Sequence, residues 1–259
     1  ALAFVGAVKG YDVQLFLPAQ LSSSYDPVDR IRIARLYGCT VTAIDLNEHI
    51  EDVDQLQGVE RAATFVAIRM KHCYDLQQSD PSHWWANQLC NADNTRVHRE
   101  HTGREILDQM GGGIDGWVAS VGTGGTLLGV AQTVKEENPE LRVTGVVPTD
   151  DPRIEWVRSR AVHKALAKFG VPELRFLIED LLDRNVMDNE VTVGNAEAKR
   201  MADRLCREEG LYCGMSSGAN VCAAIEMAKT MKKGSRIVTV VVDRRDRYFA
   251  EYPNEHYVV

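Results

Sequence analysis

One stretch of this sequence has residue types and spacing suited to holding an anion: Val121-Gly122-Thr123-Gly124-Gly125-Thr126. Apolar Trp117-Val118-Ala119-Ser120 precedes it and has strand character. Residues 127–136 follow, with Leu127, Val130, Ala131 and Val134 at helical spacing. A strand, a glycine loop and a helix start form a phosphate cradle. Glycine lets the backbone approach an anion closely, and the first turn of a helix offers unpaired N–H groups and the positive end of a dipole. Thr123 and Thr126 add hydroxyl donors. The plain alternative is a tight strand-to-helix turn that binds nothing. Two familiar cradles can be compared directly. A P-loop needs Gly-Lys-Ser/Thr at its end, and no lysine follows here. A dinucleotide fingerprint needs Gly-x-Gly-x-x-Gly/Ala. Gly122 and Gly124 satisfy its first two positions, but the third falls on Leu127. Asp150 does follow the next strand, so that reading is weakened rather than removed.

The elements around this loop alternate between helix and strand. Residues 2–9 read as a helix stopped by Gly10, and residues 11–17 as a strand closed by Pro18. Residues 21–29 form a polar loop, 30–37 a helix ended by Gly38, 40–44 a second strand and 59–70 a third helix. Residues 77–82 are a polar turn ahead of Trp84 and Trp85, and a domain crossing is placed there. Residues 102–110 are helical and run into Gly111-Gly112-Gly113. After the cradle come a strand at 142–147, a charged helix at 154–168 and an amphipathic helix at 195–209. A further helix runs from the segment 214–220 to Met231. The apolar run 237–242 reads as a central, buried strand. The tail from Asp243 is polar and aromatic. Alternation of this kind predicts α/β architecture with parallel sheets covered by helices on both faces.

Composition sets outer limits. The chain has 259 residues, 44% hydrophobic and 26% charged, enough for one large domain or two smaller ones. A formal net charge of -7 with no long basic tract argues against nucleic acid or an anionic membrane as the main partner. No apolar run is long enough to span a bilayer. The six cysteines, Cys39, Cys73, Cys90, Cys206, Cys213 and Cys222, form no CxxC pair and no zinc-type cluster with the seven histidines. They read as reduced thiols, which suits the cytoplasm. Residues 1–10 lack the charged start of a signal peptide and resemble the middle of an apolar helix, so a preceding segment is expected.

Several separated stretches together resemble the cysteine synthase and cystathionine β-synthase family of pyridoxal-phosphate enzymes, which have the tryptophan-synthase-β fold. They are residues 1–18, Trp85-Ala86-Asn87-Gln88, residues 91–103 through His98 and Thr102, residues 122–126, residues 210–219, and Asp246-Arg247-Tyr248. Their order is the family's, and the set displaces the dinucleotide reading. The resemblance implies fold type II: two parallel-sheet αβα domains. Residues 1–86 would form a smaller, substrate-side domain, incomplete at its N-terminus. Residues 87–259 would form a larger, cofactor-binding domain. It also implies pyridoxal 5'-phosphate as cofactor. Gly122, Thr123, Gly124, Gly125 and Thr126 would hold its phosphate, and Ser216 would hydrogen-bond its pyridine nitrogen. Gln88 would help hold the substrate carboxylate. Without a ligand, Ser216 would read as a helix N-cap, and Gln88 as a hydrogen bond at the domain boundary.

The same resemblance exposes departures. The family's Schiff-base lysine belongs to an N-terminal segment that these residues do not include, and so does the asparagine loop that grips the substrate carboxylate. Lys9 sits in an apolar helix and offers no substitute. The family's Gly-Ile-Gly stretch is not recognisable; residues 163–172 stand there. Asp243-Arg244-Arg245-Asp246-Arg247 replaces a more neutral closing motif and reads as a solvated charged turn. The expected activity is β-elimination or β-replacement on a small amino acid such as serine, an O-activated serine or cysteine, in a homodimer. The alternative is a non-catalytic subunit or pseudoenzyme that needs a partner chain.

Overall fold

The computed structural model describes residues 1–19, 28–50, 55–149 and 153–251. In chain order the elements are α1 (Leu2–Lys9), β1 (Gln14–Pro18), α2 (Val28–Leu36), β2 (Thr40–Ile44) and α3 (Gly58–Ser79). Then come α4 (Asp93–Val97), a π-helical turn (His98–Thr102) and α5 (Gly103–Met110), followed by β3 (Gly116–Ser120), α6 (Gly125–Glu137) and β4 (Arg142–Pro148). The chain continues through α7 (Arg153–Arg158), α8 (Ala161–Lys168), α9 (Leu177–Asp183), β5 (Asn189–Val193), α10 (Asn195–Glu209), α11 (Met215–Thr230) and β6 (Ile237–Thr239). It ends in a 3-10 segment, Arg245–Glu251. Among the described residues no helix is long and apolar enough to cross a membrane. Asp150, most of the expected polar loop at 21–29 and the end of the tail lie outside the described residues.

The described residues form two compact units, one from Ala1–Trp84, Ala161–Pro172 and Arg245–Val259, the other from Trp85–Arg160 and Glu173–Arg244. In place of the expected single break after residue 86, the chain crosses between the units four times. Helix α8 joins the first unit by packing on α3, and Phe169 joins the cluster of Ile44, Leu46 and Ile68. The closing segment joins it where the Arg30 guanidinium lies 4.9 Å from the Tyr248 ring centre. The first unit holds a two-stranded parallel sheet of β1 and β2, in register from Gln14 opposite Thr40 to Pro18 opposite Ile44. Gly10 ends α1 in the left-handed conformation at φ 76°, the helix-stopping role that favours glycine.

The second unit holds a four-stranded parallel sheet in the order β5-β4-β3-β6. The interior strands β3 and β4 are almost wholly buried, as an apolar strand covered on both faces must be. Their Val118 and Val146 pack with Val193, Ala198, Ala219, Cys222, Ala223 and Met227 from β5, α10 and α11.

Three expectations are corrected here. The run 237–242 is not a central strand: β6 covers Ile237–Thr239, is half-buried, and pairs with β3 alone at the sheet edge. Beyond Thr239 the backbone bonds to side chains of α11 instead of to a strand, Val242 N–H to Ser217 Oγ and Val240 C=O to Asn220 Nδ2. The charged helix expected over 154–168 is broken between α7 and α8, where Arg160 adopts φ 56° and pairs with Glu173 at 2.6 Å. Helix α3 runs nine residues past the expected Met70, through Ser79, so the polar turn begins only at Asp80, whose carboxylate accepts the Ser82 N–H at 2.8 Å.

Candidate functional site

The cradle lies at the carboxyl end of β3, where parallel α/β sheets place their ligands. Val121 extends the β3 pairing by donating its N–H to Val146 C=O at 2.8 Å. The chain then leaves the sheet at Gly122 and enters α6 at Gly125. Gly124 caps the helix at φ 89°, ψ -18° and supplies no side-chain cap. A Cβ on Gly122 would meet only the Arg153 guanidinium, at 3.3 Å, and is otherwise in open space. A Cβ on Gly124 would just touch the backbone of Leu177 and Ile178 at 3.4 Å, which leaves no room for a longer side chain in that direction. Arg153, at the start of α7, was not singled out by the sequence; its one legible signal is a basic residue shortly after β4.

Both threonine hydroxyls are held from behind by one helix. Asn94 Nδ2 donates to Thr123 Oγ1 at 2.9 Å, and Thr123 Oγ1 also accepts the Gly125 N–H at 3.3 Å. One turn later, His98 Nε2 lies 3.0 Å from Thr126 Oγ1, and His98 Nδ1 lies 3.0 Å from Thr102 Oγ1. Asn94 and His98 are four residues apart, hence on one helix face. That face fits closely on α6 because α6 carries glycine at the contacts. A Cβ on Gly125 would sit 2.5 Å from Asn94 Oδ1, and one on Gly129 would sit 2.5 Å from Thr95 C=O and 2.8 Å from His98 Cβ. The π turn leaves Arg99 C=O to accept the Thr133 hydroxyl at 2.6 Å. At the far end of α6, Arg99 and Arg104 bind the two oxygens of Glu136 at 2.8 and 2.7 Å; the hydrogen bond from Arg99 is the first cause of its lowered pKa. The sequence comparison included Asn94, His98 and Thr102 without giving them these contacts; only their four-residue spacings hinted at a shared face.

Asn94 also ties Gln88 to the cradle, since Nδ2 donates to Gln88 C=O at 2.8 Å. The Gln88 side chain is exposed, and its carboxamide has no partner among the described residues. The neighbouring Cys90 is a neutral thiol, its pKa pushed up by burial to about 12. Burial also lowers the His98 pKa, which favours the neutral imidazole.

Ser216 is the second residue of α11. The cap position belongs to Gly214 and carries no side-chain cap bond. The Ser216 hydroxyl is half-buried and has no partner among the described residues. The start of α11 is fastened to the segment just past β6 by Ser217 Oγ, which accepts Val242 N–H at 2.9 Å, and by Asn220 Nδ2, which donates to Val240 C=O at 3.1 Å. Because β6 runs parallel to β3, Ser216 is brought to the same end of the sheet as residues 122–126. Asn220 is fully buried, and its Oδ1 has no partner.

These residues fit a phosphorylated heteroaromatic cofactor. The cradle offers a helix start, an open glycine edge and two hydroxyls whose oxygens already accept bonds or stand against a donor. Ser216 offers a neutral hydroxyl at the same sheet edge. Comparisons with known proteins agree. The family described as pyridoxal-phosphate dependent enzyme matches residues 1–243. Cysteine synthase of Staphylococcus aureus is 32% identical over 250 residues, covering 96% of this chain and 72% of that protein. Cysteine synthase B of Pseudomonas aeruginosa is 29% identical over the same coverage. Among solved structures, a hydrogen sulfide-producing enzyme in complex with an α-aminoacrylate intermediate superposes with a TM-score of 0.71 at 26% identity, covering 96% of this chain and 68% of that one. The O-acetylserine dependent cystathionine β-synthase of Helicobacter pylori shares the fold, with a TM-score of 0.72 at 24% identity over 96% of this chain and 72% of that one. With parallel sheets, the tryptophan-synthase-β-like fold and this family match, the chain belongs to the pyridoxal-phosphate dependent enzymes.

Proposed function

We propose that the protein carries out β-elimination or β-replacement on a small amino acid, as a cysteine synthase-like enzyme using pyridoxal 5'-phosphate. The observation that carries this reading is the cradle at the start of α6, with both threonine oxygens held from behind, in a chain of that family. Gly122, Thr123, Gly124, Gly125 and Thr126 hold the phosphate through backbone N–H groups and hydroxyls, aided by the helix dipole. Ser216 gives the pyridine nitrogen a hydroxyl partner, which does not keep it protonated as a carboxylate would. Gln88 presents its carboxamide to the substrate carboxylate. When bound, the cofactor supplies the electron sink that makes Cα–H labile and lets a β-substituent depart. Lys135 and Lys229 stand in the last turns of α6 and α11, at the opposite ends of those helices from the cradle and Ser216. Neither is placed to serve as the covalent lysine, and the family resemblance assigns that role to no lysine within residues 1–259. A cytoplasmic homodimer completes the reading, consistent with six free thiols.

The test is cofactor-dependent turnover. O-acetylserine with sulfide is assayed for cysteine, and cysteine alone for hydrogen sulfide, with and without added pyridoxal phosphate. Turnover that needs the cofactor is expected once the segment bearing the covalent lysine is present with residues 1–259, and borohydride reduction should fix cofactor to no peptide of residues 1–259. Cofactor reduced onto a lysine inside that range would overturn the lysine assignment. Tight cofactor binding with no turnover until a second chain is added would favour the non-catalytic subunit, and turnover indifferent to cofactor would overturn the proposal.

A further inference from the structure

Thr126 has one hydroxyl proton, and its oxygen lies 3.0 Å from His98 Nε2. Two arrangements satisfy that distance. If Thr126 donates to Nε2, its proton points back into the protein and its lone pairs face the cradle, where they repel an anion. If Nε2–H donates to Thr126, the hydroxyl proton is free to point at the anion. Thr102 Oγ1, 3.0 Å from Nδ1, is placed to support the second. Its own proton can be given to Nδ1, which leaves the ring hydrogen on Nε2. The chain then runs in one direction: Thr102 O–H to Nδ1, Nε2–H to Thr126 Oγ1, and Thr126 O–H to the anion. Asn94 does the same for Thr123 from one turn earlier, through its amide nitrogen, which can only donate. The backbone has been shaped for this contact. The imidazole is carried on the π turn His98–Thr102, a helix irregularity that recurs at functional sites, and Gly129 lets His98 Cβ lie closer to α6 than any side chain there would permit.

We propose that His98 is a positioning residue for the cofactor phosphate, one that fixes the Thr126 hydroxyl proton toward the bound anion through a directed chain from Thr102. This rests on the assignment of residues 122–126 as the phosphate cradle and goes beyond it, since the cradle could bind through backbone N–H groups alone. His98 touches no part of the cofactor and acts only through Thr126. Its neutral state suits the role. An imidazole that keeps a single ring proton must place it by hydrogen bonding, whereas an imidazolium would donate from both nitrogens and leave Thr102 unable to set the direction.

The experiment compares pyridoxal 5'-phosphate with pyridoxal, which lacks the phosphate, by equilibrium titration of the full chain. The variants are His98→Leu, His98→Gln, Thr126→Val and the double variant His98→Leu with Thr126→Val. Circular dichroism and thermal unfolding report folding for each. His98→Leu should weaken pyridoxal phosphate binding roughly five- to tenfold, the loss of one directed hydrogen bond, and leave pyridoxal binding unchanged. His98→Gln keeps an N–H near the Nε2 position and should recover most of the affinity. In the Thr126→Val background, His98→Leu should add nothing, because the group it acts through is gone. The 31P resonance of bound cofactor should move in His98→Leu and return toward the parent position in His98→Gln. Equal weakening of both ligands, or additive losses in the double variant, would reduce His98 to a packing residue and overturn the proposal. So would parent-like discrimination in His98→Leu. A parent protein that fails to prefer pyridoxal phosphate over pyridoxal would instead overturn the cradle assignment itself, and with it this inference.

Discussion

Helices α6 and α11 both begin after a glycine, both lack a side-chain cap, and both carry hydroxyls in their first turn. They treat those hydroxyls differently. At α6 Thr123 accepts from Asn94 and Thr126 lies against the His98 ring, both groups from another helix, an arrangement that on our proposal turns both hydroxyl protons toward a ligand. At α11 Ser217 is fully buried with its oxygen accepting Val242 N–H and Asn220 donates to Val240 C=O, so Ser216 is the hydroxyl that stays accessible. One helix start has its hydroxyls backed by polar groups of another helix. The other is mostly occupied with holding itself against the end of β6. A hydroxyl beside a helix start is therefore a ligand donor or a structural pin according to what stands behind it, and the residue type alone does not decide.

The sharpest way to break this comparison is Gly124→Leu. The site is at φ 89°, where an L side chain costs about 1–2 kcal/mol, and its Cβ already touches the Leu177 and Ile178 backbone at 3.4 Å, with the rest of the leucine still to be placed. Pyridoxal phosphate affinity should fall more than about tenfold, the equivalent of losing at least one charge-assisted hydrogen bond of about 1.5–3 kcal/mol. Parent-like affinity in a folded Gly124→Leu protein would remove the cradle from the site.

Neighbouring serines should then separate stability from chemistry. Ser217 is fully buried, and Ser217→Ala leaves Val242 N–H without its partner. Chemical denaturation should show a loss of about 1–3 kcal/mol. The Ser216 hydroxyl has no partner among the described residues, so Ser216→Ala should shift stability by less than about 0.5 kcal/mol. Cofactor-dependent turnover of that variant should nevertheless drop on the order of tenfold, through the lost contact to the pyridine nitrogen. If Ser216→Ala lowers the melting temperature as much as Ser217→Ala does and spares turnover, Ser216 belongs with the pins.

The cradle was legible because everything that makes it is local: glycines and threonines within six consecutive residues, between an apolar strand and an apolar helix. What stands behind it was not. Asn94 reaches Thr123 across 29 positions and His98 reaches Thr126 across 28. Those contacts depend on how closely two helices approach, which Gly125 and Gly129 set only once the packing exists. The run 237–242 misled for a related reason. An apolar strand pattern reports that both faces are covered, not whether both edges are paired, and β6 pairs at one edge only. The break at Arg160 was hidden because a charged, periodic segment gives no sign that its two halves pack in different units.

The smallest effect tests the comparison through pH. His98 is the titratable group behind the α6 hydroxyls, whereas Ser216, Ser217 and Asn220 at α11 do not titrate. Burial holds the His98 pKa below its ordinary value. The unfolded chain, with histidine near about 6.5, therefore takes up the proton before the folded chain does. Stability from this residue is present above that value and is lost as pH falls below it. The melting-temperature advantage of the parent over His98→Gln should accordingly be larger at pH 7.5 than at pH 5.5. The deficit of Ser217→Ala should be the same at both. Loading the protein with pyridoxal phosphate should flatten the His98 dependence. A phosphate one hydroxyl away favours the imidazolium and raises the folded-state pKa toward the unfolded one. A pH dependence unchanged by cofactor would mean that the anion does not sit in front of Thr126, and the two helix starts would differ in packing alone.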